Sequence, residues 1–118
     1  MPTTDKAADD LQAVLDKIAS WPEPFPEIGR QLHDTILSAG PKLKPRLWYG
    51  GCGYATGRST PVVVFVRVDD GVMSFGVTEK GTSEREDGSL LRPAAWYVDE
   101  MDARTLDRVA DLVRAAFA

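Results

Sequence analysis

The stretch VVVFVRVDDGVMSFGV, residues 62–77, constrains this chain more than any other segment. Two β-branched, apolar runs flank Asp70-Gly71, a pair that tolerates the positive φ angles of a two-residue hairpin turn. Such a turn fixes the register: Asp69 must pair with Val72, so Val68 faces Met73, Val66 faces Phe75 and Val64 faces Val77 on one side of the sheet. Arg67 then meets Ser74 and Phe65 meets Gly76 on the other side. The first side reads as core and the second as mixed.

Helical periodicity brackets this hairpin. Leu11, Val14, Leu15 and Ile18 recur at helical spacing, with Asp5, Asp9 and Asp16 on the opposite side, which predicts an amphipathic helix over about 5–19. The prolines of WPEPFPEIG end it. A second helix over about 26–39 carries Ile28, Leu32 and Ile36 inward and stops at Gly40-Pro41. His33 lies on it beside Leu32 and reads as a helix-surface or helix–sheet boundary residue.

From Leu43 the period changes to that of strands. The charged segment 79–89 reads as an ordered loop, although Ser83 and Glu86 have the spacing of a capping box. AAWYV, 94–98, is a further strand. Asp102 caps a last helix, with Met101 and Leu106 as a hydrophobic staple and Leu106, Val109, Ala110, Val113 and Phe117 as its buried face. The order α-α-β-β-β-β-β-α implies an α+β fold: an antiparallel sheet of about five strands with helices packed on one face. The other face, bearing Val63, Phe65 and Arg67, is left open as a weak patch or an interaction surface.

With 118 residues, the chain fits a single domain spanning 1–118 that can bury roughly two-thirds of its unfolded surface. A net charge of −4 argues against nucleic acid as a partner, since that role usually needs a basic face. The N-terminal residues show no secretory pattern and the apolar run PVVVFV is too short to span a membrane, so the expected location is cytoplasmic. A single cysteine, which cannot form an internal disulfide, agrees with a reducing compartment.

The chemistry-bearing residues concentrate in PRLWYGGCGYATG, 45–57. From Gly40 to Arg58 there are four basic residues and no acid. Arg46, Trp48, Tyr49, Cys52, Tyr54 and Arg58 are therefore candidates for holding a small anionic or aromatic ligand by stacking and charge-assisted hydrogen bonds. The alternative is that Trp48 and Tyr49 fill core on the two faces of an edge strand. Cys52 has glycines on both sides and bases nearby that would favour a thiolate, yet a catalytic cysteine needs a base and His33 lies a helix away. The glycines do not match a dinucleotide-binding fingerprint, because no helix follows them. They suit a sharp turn or close approach of the backbone to another group. The strand and the Val63/Phe65 face would equally serve homodimerisation.

The run LHDTILSAGPKLKPRLWYGGCGYATG, followed by VMSFGVTEK and PAAWYVDEMDARTLDRVADLVRAAFA, resembles in order and spacing the YdhG-like family, domain of unknown function 1801, over about 28–118. The resemblance implies a frataxin-like α+β fold and a small, intracellular, non-catalytic binding or accessory domain. That family includes an intracellular iron chaperone, so the resemblance also implies weak iron binding. Iron would need hard oxygen ligands, for which Asp5, Asp9 and Asp16 are the candidates; the same stripe reads equally as solvated surface. Where the family commonly continues Trp-Tyr-Gly with Met-Pro, this chain has Gly51-Cys52-Gly53, without the proline-fixed turn.

Overall fold

The computed structural model describes residues 6–117. Its elements are α1 (Lys6–Ala19), α2 (Phe25–Ala39), β1 (Lys44–Trp48), β2 (Gly51–Ala55), β3 (Val64–Asp69), β4 (Val72–Val77), β5 (Ala95–Val98) and α3 (Ala103–Ala116). This is the order expected from the sequence, an α+β arrangement with one antiparallel five-stranded sheet.

Asp70 and Gly71 both adopt positive φ, 52° and 75°, and the β3–β4 pairs are those a two-residue turn demands: Val68 with Met73, Val66 with Phe75, Val64 with Val77. A second turn of the same kind joins β1 to β2, with Tyr49 at φ 45° and Gly50 at φ 75°. The sheet order is β1-β2-β3-β4-β5, each strand paired with its neighbour in sequence. β1, carrying Lys44 and Pro45, forms one edge, and the four-residue β5 forms the other.

All three helices pack on one face. Val14 and Ile18 of α1, Ile28, Leu32 and Ile36 of α2, and Val109, Val113 and Ala116 of α3 join Cys52, Tyr54, Val64, Val66, Met73, Phe75, Val77 and Val98 in one core. Asp102 accepts a hydrogen bond from the Thr105 N–H at 2.7 Å, which caps α3, and Met101 and Leu106 pack partly buried against the core beside it. One polar contact crosses this apolar layer: His33 Nδ1 and the Tyr54 hydroxyl share a hydrogen bond of 2.8 Å that ties α2 to β2. His33 is thus enclosed between helix and sheet, 3% exposed, the second of its two expected placements.

Three details differ from expectation. Phe117 is 41% exposed: α3 ends at Ala116, which takes the inward place, and Phe117 is the cap residue beyond it. Val63 belongs to the core, near Val77 and Ala116, because regular strand alternation begins only at Val64; Val62 is the valine that covers the open face, above Gly53. The segment 78–94 contains no helical turn, and Ser83, instead of capping one, donates its hydroxyl to the Pro93 carbonyl at 2.7 Å.

Phe75 is 2% exposed and stacks on Trp96, so Phe75→Ala should cost about 3–5 kcal/mol in chemical denaturation. A loss below about 1 kcal/mol would contradict its place in the core. A second expectation concerns acid. Burial, and to a lesser extent Arg30, hold the His33 pKa below its ordinary 6.5 against the opposing pull of Asp34. The unfolded chain therefore takes up a proton near pH 6.5 that the folded chain refuses, so stability should fall as the pH drops below about 6.5 and level off below the folded value. Denaturation at several pH values should show this decline in the parent and its disappearance in His33→Gln.

Candidate functional site

The two-residue period of a strand divides the segment 45–57 between opposite faces of the sheet. In β2, Cys52 and Tyr54 point into the core, while Gly51, Gly53 and Ala55 point to the uncovered side. In β1, Trp48 pairs with Gly51 and Arg46 with Gly53 on that uncovered side. The six candidate residues therefore do not converge. Trp48 lies on the open face, the neighbouring Tyr49 is 76% exposed in the turn, and Cys52 and Tyr54 are fully buried behind the sheet.

The two arginines are already engaged. Arg46 donates to the carbonyls of Gly57, Arg58 and Thr60 at 3.2, 2.6 and 2.7 Å, holding the loop 56–61. Arg58 forms a 2.8 Å ion pair with Asp10 of α1. That hydrogen-bonded contact, before the general field of the charges, lowers the Asp10 pKa and raises that of Arg58. Both guanidiniums thus have structural partners, Arg46 through its two Nη atoms and Arg58 through Nε.

Cys52 has no exposure, and burial pushes its thiol up to about 12, with Lys17 opposing only weakly. Its thiol is therefore protonated at neutral pH and enclosed, without the thiolate character and access that nucleophilic or redox chemistry draws on. Burial first, then the neighbouring Cys52 and Asp34, raises the Tyr54 hydroxyl well above its ordinary value, so Tyr54 serves as the neutral partner of His33.

For the iron candidates, Asp9 and Asp16 are exposed and stand seven residues apart on α1, about 10 Å along the axis, too far to share one ion. Asp5 lies outside the described residues. Among those described, no three His, Cys, Asp or Glu side chains gather where they could hold a metal ion.

What the structure does assemble is a layer of large side chains lying flat on the open face, each seated over a glycine. A Cβ on Gly53 would come within 2.7 Å of Val62 and 2.8 Å of Trp48 Cβ. One on Gly51 would lie 2.5 Å from Arg67 Cγ, and one on Gly76 would lie 2.5 Å from the Phe65 ring and 2.6 Å from the Ala94 carbonyl oxygen. Only glycine leaves room for these side chains to lie down. Trp48 and Phe65 meet with ring centroids 5.2 Å apart, and Tyr49 meets Trp48 edge-on at 4.8 Å.

Beside this layer is a shallow depression of about 510 Å³ lined by Arg67, Asp69, Val72, Ser74, Tyr97 and Asp99. Tyr97 is 80% exposed. Arg67 Nε is buried and has no hydrogen-bond partner among the described residues. The sequence placed Arg67 opposite Ser74 on this face but gave no reason to single it out, nor Tyr97. Their meeting depends on the pairing of β4 with β5 across the long connection 78–94, for which no turn signal fixes a register.

No helix among the described residues is long and apolar enough to cross a membrane. No family model, curated protein or solved structure matches this chain.

The burial of Cys52 is directly measurable. A thiol-reactive chromogenic disulfide at pH 8 should leave the folded protein unmodified and react fully in denaturant. Rapid modification of the folded protein, at the rate of an unfolded control, would contradict the enclosed thiol.

Proposed function

We propose that this chain is a small non-catalytic binding or accessory domain of the YdhG-like type, with a frataxin-like arrangement of helices behind an open sheet, and that the open face is its working surface. The observation that carries the reading is Arg67, whose Nε is buried without a partner beside a Trp48–Phe65 layer that no helix covers. An unsatisfied buried N–H is costly in an isolated fold, of order 1–3 kcal/mol, so its retention calls for an explanation, which a partner that draws the guanidinium outward would supply. Stacked aromatic area and a guanidinium are also the residue types that dominate binding energy at contact surfaces. The helix-covered side contributes packing, with His33 and Tyr54 the only buried polar pair among the described residues and satisfied internally.

Native mass spectrometry of freshly purified protein should show a retained species, either a small molecule or a second chain. Arg67→Ala combined with Tyr97→Ala should remove it, with circular dichroism showing that the variant keeps its fold. Retention of the same species by the double variant, or its absence from the parent, would overturn the assignment of the open face.

A further inference from the structure

The depression around Arg67 carries an unusual mixture of charge. Arg67 stands on the central strand β3, with Asp69 two residues further along the same face and Asp99 just beyond the end of β5. Among the described residues Arg67 makes no ion pair with either carboxylate, although all three line the same hollow. The remaining lining is Ser74, Val72 and Tyr97, of which Val72 and Tyr97 are exposed apolar surface.

Resting on the open-face reading above, we infer that the occupant of this face is a second copy of the same chain, packed about a two-fold axis through the hollow, with Arg67 of each copy against Asp69 and Asp99 of the other.

The charges of the hollow select its occupant by complementarity. An anion drawn to Arg67 meets two carboxylates, and a cation drawn to the carboxylates meets a guanidinium, so a simple ion of either sign is poorly matched to the hollow. A nucleic acid strand is disfavoured for the same reason and by the net charge of −4. The surface that fits must offer carboxylates opposite Arg67 and a guanidinium opposite Asp69 and Asp99. This face itself offers that pattern, because an isologous contact sets residue i against j and j against i. The same rotation covers Val72 and Tyr97, apolar area that a monomer leaves in water. It also supplies acceptors beside a guanidinium that has none, and charge-assisted pairs to arginine are the stronger kind of hydrogen bond.

The test is a charge exchange read by sedimentation or light scattering from about 1 μM to about 1 mM protein. The parent should pass from monomer to dimer within that range. Arg67→Glu should weaken the dimer at least about tenfold, since each copy then sets carboxylate against carboxylate. Asp69→Arg with Asp99→Arg should do the same by setting guanidinium against guanidinium. Mixed one to one, the two variants should form a heterodimer at least about tenfold tighter than either forms alone, because both contacts regain opposite signs. Circular dichroism on each variant checks that the fold is kept, and the recovery in the mixture is a gain that misfolding cannot produce. A parent that stays monomeric to about 1 mM, a dimer indifferent to Arg67→Glu, or a mixture with no recovery would each overturn the inference. A monomeric parent that still retains a small molecule lost in the Arg67 and Tyr97 variant would overturn the dimer alone and keep the open face as a binding surface.

Discussion

Strand β2 is where the molecule is decided. Its five residues, Gly51 to Ala55, are all buried, yet they face two different environments, because successive side chains of a strand point to opposite sides. Cys52 and Tyr54 fill the helix-covered core, and Tyr54 reaches His33 to supply a polar link across it. Gly51 and Gly53 do the reverse: having no side chain, they let Arg67, Trp48 and Val62 lie against the backbone on the other side. A slip of one residue would put glycine in the core and tyrosine under the tryptophan. The register of β2 therefore holds both layers at once.

The two layers differ in kind. Behind the sheet, branched aliphatic chains and Phe75 interdigitate with three helices, and the buried His33 and Tyr54 satisfy each other. In front, large groups lie parallel to the sheet and cover it thinly. Trp48 and Phe65 shield backbone hydrogen bonds while leaving ring area in contact with solvent. The loop 56–61, pinned by three carbonyl bonds from Arg46, closes the β1 end of this layer, and its ion pair to Asp10 ties the same loop to α1. Arg46 and Arg58, two of the four basic residues between Gly40 and Arg58, thus hold this loop in place.

The core was legible where local chemistry dictates geometry. Asp70-Gly71 fixed its hairpin to the residue, and the spacing of Ile28, Leu32 and Ile36 identified the inward face of α2. Legibility failed where an outcome depends on the meeting of distant segments. Nothing local to His33 says that Tyr54, 21 residues away, will rise beneath it. Nothing local to Arg46 says that its guanidinium will be spent on carbonyls of a loop beyond the next strand. The glycines of 50–57 could be read as a turn or as close approach, and both are present: Gly50 takes the positive φ of the turn, Gly51 and Gly53 take the close approach. The period-two rule, applied to GCGYA once its partners are known, separates the cysteine from the tryptophan; from composition alone they look like one cluster.

The edges of the sheet carry a consequence for how the chain behaves when crowded. β1 presents Pro45, which lacks the N–H that an added strand would need, beside the charge of Lys44. Only β5 offers a bare ladder, four residues long. Pairing β5 of one copy with β5 of another would leave two proline-bearing edges facing outward, so stacking by strand addition ends after a single step. Such a sheet is self-limiting: it has one place to start a cross-β ribbon and none from which to continue it.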